Sequence, residues 1–204
     1  MSTQLRPNTR LQQQLTFIQE IDRLKQIVRR TYLIDASRRE NDAEHSWHLA
    51  MMAMLLPEYA GTDHLDVSRI VRMVLVHDII EIDAGDTYLY DAQAGEDKAE
   101  REQQAADRIF ALLPDEQAAE VRCLWDEFEA RTTPEARFAA LLDRLQPLIH
   151  NYATQGKSWQ EHGITSAQVK ARWQADALRD AAPFLWDYAQ NLIDESIEQG
   201  YLTT

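Results

Sequence analysis

His45 in A-E-H-S-W, the adjacent pair His77-Asp78 in V-L-V-H-D-I-I-E, and Asp143 in A-L-L-D-R-L can all ligate a divalent ion. Two imidazoles and two carboxylates form a mixed nitrogen–oxygen set. Such a set suits a catalytic ion, because structural zinc sites lean on cysteine. Neighbours on a helix point roughly 100° apart, so one ion can take both His77 and Asp78 only if it sits close to that backbone. Taken singly, each residue has a plain structural explanation. His45 reads as a surface or helix-start histidine, and His77, after the apolar M-V-L-V, as a satisfied core histidine. Asp143 is apolar on both sides, so its carboxylate needs a cation, Arg137 or Arg144 or a metal. Together, on separate helices, they point to an enzyme with one metal.

The elements that would position these residues are helical. Gly and Pro number six each in 204 residues, while Ala, Leu, Glu, Gln and Arg are abundant. Leu15, Ile18, Ile21, Leu24, Lys25 and Val28 predict one amphipathic helix. Residues 31–43 lose that period and read as a loop. A helix from about Ala43 to Tyr59 carries His45 in its first turn. Another, capped by Asp66 or Ser68, runs from Val67 to about Asp83 and carries His77-Asp78. Residues 84–97 are irregular. Helices follow from Lys98 to Leu113, from Pro114-Asp115 to about Arg131, and from Thr133-Pro134-Glu135 through Asp143. Pro147 should kink the last of these. The tail, 165–200, predicts one or two more helices broken near Pro183. Trp125, Phe128 and Phe138 read as core or dimer interface. Trp173, Phe184, Trp186 and Tyr188 read as packing rather than a nucleobase platform.

Composition narrows the partners. The net charge is −13, which argues against non-specific binding to DNA or an anionic membrane. A small phosphorylated substrate remains compatible with a locally positive pocket. Cys123 is the only cysteine, so no intramolecular disulfide forms and a cytoplasmic location is expected. No signal-peptide pattern or membrane-length apolar run is seen.

The order H…HD…D, with A-E-H-S-W, H-D-I-I-E-I-D-A-G-D-T and the later A-L-L-D, resembles the HD-domain metal-dependent phosphohydrolases. The E-N-D-A-E of residues 40–44, Glu81 three places after Asp78, and Gly85-Asp86 bring it closest to the 5′-deoxynucleotidase-like branch. The resemblance covers about residues 15–150. It implies an all-α HD-domain helical bundle with additional C-terminal helices, in a single domain whose extension spans about 155–204. It further implies that His45, His77, Asp78 and Asp143 bind one divalent ion. That donor set accepts Mn²⁺, Co²⁺, Fe²⁺, Ni²⁺ or Zn²⁺, and Mg²⁺ is a further candidate. Glu81, on one helix face with His77 and Asp78, becomes the general acid or base.

Arg30, or its neighbour Arg29, falls where the family has a phosphate-orienting arginine. Asp86 and Thr87 match its substrate-contacting turn. Thr31 departs from the aromatic residue the branch uses to sense the sugar, which puts strict 2′-deoxy selection in doubt. The expected reaction is phosphate release from nucleoside 5′-monophosphates by a metal-activated water, in a homodimer. Three alternatives stand beside it. A phosphodiesterase or pyrophosphohydrolase of a signalling nucleotide lacks its branch motifs here. A di-iron oxygenase needs histidines between 79 and 142, where there are none. The last is a non-catalytic binding module.

Overall fold

The computed structural model describes residues 9–86, 98–174 and 176–203. Their regular secondary structure is helical apart from one two-stranded hairpin and an isolated bridge between Thr165 and Thr203. No helix among them is long and apolar enough to cross a membrane.

Helix α1 (Thr9–Ile21) passes through a 3₁₀ turn (Asp22–Gln26) into a hairpin of β1 (Val28–Tyr32) and β2 (Arg39–Asn41). The helix expected to continue through Val28 thus stops at Ile21. The expected loop at 31–43 is partly strand, with Val28 paired to Asn41 and Tyr32 to Arg39. The V-R-R-T-Y run has β-branched residues at both ends of an arginine pair. Its period-two alternation sends Arg29 and Thr31 inward.

Helix α2 (Asp42–Leu55) starts in a capping box: Asn41 accepts from the Glu44 N–H, and the Glu44 side chain accepts from the Asn41 N–H. A short 3₁₀ turn at Pro57–Tyr59 follows. Helix α3 (Val67–Val76) is capped by the Asp66 side chain. The expected helix to Asp83 is interrupted at the His77-Asp78 pair and resumes only as α4 (Glu81–Ala84). The cause is local. Nδ1 of His77 lies 2.9 Å from the Val74 carbonyl oxygen, the acceptor that Asp78 N–H would use in a continued α-helix. The backbone then closes tighter bonds, from Ile79 to Val76 and from Glu81 to Asp78.

Helices α5 (Lys98–Phe110), α6 (Asp115–Ala130) and α7 (Pro134–Ala153) follow, then α8 (Lys157–Glu161), α9 (Ser166–Arg172), α10 (Asp176–Ala181) and α11 (Pro183–Glu198). Helix α7 is the axis of the main core. Phe138, Ala139, Leu141, Leu142 and Leu145 on it are buried against α2, α3, α6, α10 and α11. A second apolar cluster joins α1, α4 and α5 around Ile109, Phe110 and Trp125. Helix α7 runs through Pro147, which has no N–H to offer the carbonyl of Asp143, four residues back. Trp125, Phe128, Phe138, Trp173 and Trp186 are buried as expected, whereas Phe184 and Tyr188 are exposed.

Candidate active site

His45 enters from the first turn of α2, His77 and Asp78 from the turn between α3 and α4, and Asp143 from the middle of α7. His45, His77 and Asp143 each offer a ligand atom within 4.8 Å of the others. Nε2 of His45 lies 3.0 Å and Nε2 of His77 3.6 Å from Oδ1 of Asp143. Asp78 completes the group, 3.1 Å from Nε2 of His77 and 3.9 Å from Nε2 of His45. The four residues predicted to share an ion therefore meet. Asp143 pairs with the two imidazoles, not with Arg137 or Arg144, which donate to backbone carbonyls at Arg131, Thr132 and Arg172.

The donor chemistry fits a cation. The Val74 carbonyl can only accept, so Nδ1 of His77 carries the proton of the neutral ring. Its Nε2 is then a lone pair, buried without a hydrogen-bond partner and facing carboxylate oxygens. Lone pair against carboxylate repels unless positive charge lies between them. The same field attracts protons. Burial opposes charge on His77, but Asp78 and Asp143 override it and push the ring up to about 9. Burial and then Arg29 lower His45. Burial would raise Asp143, but the two imidazoles hold it well below the usual carboxylate range.

Glu81 sits beside this group. Its Oε2 is buried and unpartnered. Burial, then the charges of Asp78 and Asp42, push its carboxyl well up. Glu81, Asp78 and Asp42 bring carboxylate oxygens within 4.8 Å of one another. Asp42 is itself pushed up to about 7 by burial and by Asp78.

Arg29 lies among these acids, with Nη1 2.9 Å from Oδ2 of Asp78 and 3.1 Å from Oδ1 of Asp42. Burial disfavours its charge, and Asp78, Glu81 and Asp42 outweigh that. Arg30 is on the opposite face of β1, with Nη1 2.8 Å from Nε2 of His162. Both arginines line a cavity of about 300 Å³ that also contains Thr31, His77, Asp78, Glu81, Asp86 and Asp143. Thr87 lies outside the described residues.

Sequence reasoning passed over Glu40, Asp42 and Gln146, all almost wholly buried around this site. The signal for the first two was present in E-N-D-A-E, as acids at a helix start. Nothing in the local pattern marks Gln146. Glu44 is a helix cap that also pairs with Arg38, 2.5 Å away. His48 and His150 pack together behind the site, with ring centroids 5.2 Å apart.

A family model described as HD domain matches residues 21–186. The chain belongs to the HD-domain family. A protein from Magnetospirillum magnetotacticum, described as a predicted metal-dependent phosphohydrolase, is 52% identical. Its crystal structure superposes with a TM-score of 0.90 over 97% of this chain and 98% of its own. Human 5′-deoxynucleotidase HDDC2 is 32% identical over 136 residues, 66% of this HD-domain chain and 65% of that protein. The chain thus spans just under two thirds of the length of that curated relative. The HD phosphohydrolase DatZ of cyanophage S-2L, bound to dA and one catalytic Zn²⁺ ion, is 20% identical with a TM-score of 0.50 over 89% of this chain and 96% of its own, and shares the fold.

Proposed function

We propose that this HD domain is a metal-dependent phosphohydrolase that releases phosphate from nucleoside 5′-monophosphates, deoxynucleotides among them. The observation that carries the reading is the convergence of His45, His77 and Asp143, with Asp78 against both imidazoles, at the edge of a cavity. The cavity has the volume of a small-molecule site. Its wall includes Arg29, Arg30, Lys98, Arg131, Arg144 and Arg172, set against the acids Asp78, Glu81, Asp86, Glu102, Glu129 and Asp143, so it is far less negative than a chain of net charge −13 as a whole. The likeness to the human 5′-deoxynucleotidase supports the substrate class.

His45, His77, Asp78 and Asp143 would hold one divalent ion. When bound, the ion supplies Lewis-acid charge neutralisation and activates water. The remaining work falls to the chain. Arg29 and Arg30 are placed to fork onto phosphate oxygens, Arg29 from among the acids and Arg30 from the rim. Glu81, its carboxyl raised by burial, is suited to hold and pass a proton beside the ion. Asp86 lines the same cavity and is assigned to the substrate, with Thr87 beside it in sequence. Thr31 takes the inner face of β1 next to Arg29, so an aromatic sugar sensor is replaced by a small hydroxyl. We further propose that the chain pairs with a second copy, because Trp47, Met54 and Leu55 leave apolar surface exposed on α2; sedimentation of a monomer would refute this.

The test is phosphate release from ribo- and deoxynucleoside 5′-monophosphates by metal-stripped protein reloaded with Mn²⁺, Co²⁺, Mg²⁺ or Zn²⁺. Metal-dependent release that Asp78→Ala abolishes is expected. Bound metal with no release from any monophosphate would overturn the reading and point to diesters or pyrophosphates.

A further inference from the structure

Behind the metal group lies a second cluster with ligand-like spacing, Glu40, His48 and His150. Its middle is taken by the amide nitrogen of Gln146. Nε2 of Gln146 lies 2.7 Å from Oε1 of Glu40, 3.1 Å from Nε2 of His150 and 3.3 Å from Nδ1 of His48. All four side chains are buried or half-buried, and Gln146 and Glu40 are at most 1% exposed. This cluster is therefore a cradle for one amide rather than a second ion site.

The cradle determines which way the amide points. Nδ1 of His150 lies 2.9 Å from the Tyr32 carbonyl oxygen. A carbonyl only accepts, so Nδ1 donates and Nε2 of His150 carries the lone pair. The Gln146 amide nitrogen donates to this lone pair and to Glu40. Reversed, the amide would set its oxygen against a carboxylate oxygen and an imidazole lone pair, both acceptors. The Gln146 oxygen must then face the other way, where Nδ1 of His45 lies 3.1 Å from it. That oxygen accepts, so Nδ1 of His45 carries the proton. The carboxylate of Glu40, with Oε2 3.7 Å from the same nitrogen, favours the proton there as well. Nε2 of His45 is left as a lone pair aimed at Asp143.

We propose that Glu40 and Gln146 are a positioning pair that holds His45 in the tautomer able to ligate the ion. The inference rests on the metal site of the proposed function. It concerns His45 alone, because the His77 tautomer is set by a backbone carbonyl that no side-chain substitution removes. Partners of this kind around metal-bound histidines change affinity by roughly 10–100-fold.

The experiment uses the full chain, stripped of metal and titrated with Co²⁺ by calorimetry. Wild type is compared with Gln146→Met, which keeps the volume but removes the acceptor. Glu40→Gln keeps the shape but no longer dictates the amide orientation, and it carries the test if Gln146→Met fails to fold. ¹⁵N NMR of the His45 ring, assigned with His45→Ala, reports the tautomer of the metal-free protein. Expected is a roughly tenfold or greater loss of Co²⁺ affinity, with the His45 proton on Nδ1 in wild type and redistributed to Nε2 in the variants. Unchanged affinity, weaker binding without a change of tautomer, or a wild-type proton on Nε2 would each overturn the proposal while leaving the metal site standing. Failure of wild type to bind Co²⁺ through His45 would instead overturn the functional reading, and this inference with it.

Discussion

Glu81 and Asp143 are both carboxylates on the metal-site cavity, yet their surroundings drive them apart. Two imidazoles hold Asp143 ionised, whereas burial beside Asp78 and Asp42 keeps Glu81 ready to carry a proton. Glu81→Gln should therefore lower kcat by roughly 10²–10⁴-fold while metal content, read by elemental analysis, stays at the wild-type level. Loss of the metal in that variant would make Glu81 a ligand. Asp143→Asn should lose the ion itself. Arg29 has a structural place beside its proposed phosphate contact, since Asp42 and Asp78 have it as their near cation. Arg29→Met should cost about 3–5 kcal/mol in urea unfolding of the metal-free protein, the range for leaving buried charge uncompensated; a cost under 1 kcal/mol would refute the structural part of its role.

At the scale of elements, two local devices aim the site. The capping box at Asn41 starts α2, and so sets the first turn on which His45 sits. Asn41→Ala should lower stability by about 1 kcal/mol, and Glu44→Ala should act through the same cap rather than on metal affinity. The second device is the tightened turn after α3, where the His77 ring takes a helical carbonyl. Helix α7 adds a pH response through His150. Burial lowers this imidazole to about 4, while the unfolded chain takes up its proton near the ordinary 6.5. Between those values the unfolded state binds more protons, so stability falls as pH drops from 6.5 towards 4, by at most about 1.4 kcal/mol per pH unit. Glu40, raised by burial to about 7, acts oppositely. Its contribution is present below 4.5 and lost as pH rises through 7. Urea unfolding from pH 7 to 4 should show a steeper acid loss for wild type than for His150→Asn; parallel curves would refute a neutral buried His150.

For the whole molecule, the metal group is sewn from α2, the α3–α4 turn and α7, with β1 closing one side. Ion binding therefore stabilises the fold as a unit. At a free ion concentration about 100 times Kd, stability should rise by about 2.7 kcal/mol, visible as a higher Tm that a chelator reverses. An unchanged Tm with tightly bound ion would mean that the ion binds the unfolded chain equally well.

The helical class was legible in the sequence, and so was the grouping of His45, His77, Asp78 and Asp143 with Glu81 nearby, because composition, spacing and the HDxxE context are local properties of the chain. Helix α7 was legible too, since its apolar period surrounds Asp143 on both sides. The hairpin at 28–41 was not. Its arginine-rich strand has no apolar alternation, and it is held by pairing and by acids from α2 and the α3–α4 turn. For the same reason the choice between Arg29 and Arg30 stayed open: one residue of register decides which guanidinium enters the acids, and register is set by the partner strand. The break at His77-Asp78 depends on a ring turning back onto a carbonyl, and the role of Gln146 on contacts more than 100 residues away. Sequence alone determined which side chains could do the chemistry. Only the tertiary structure decided which way their lone pairs and charges point, because orientation comes from neighbours distant along the chain.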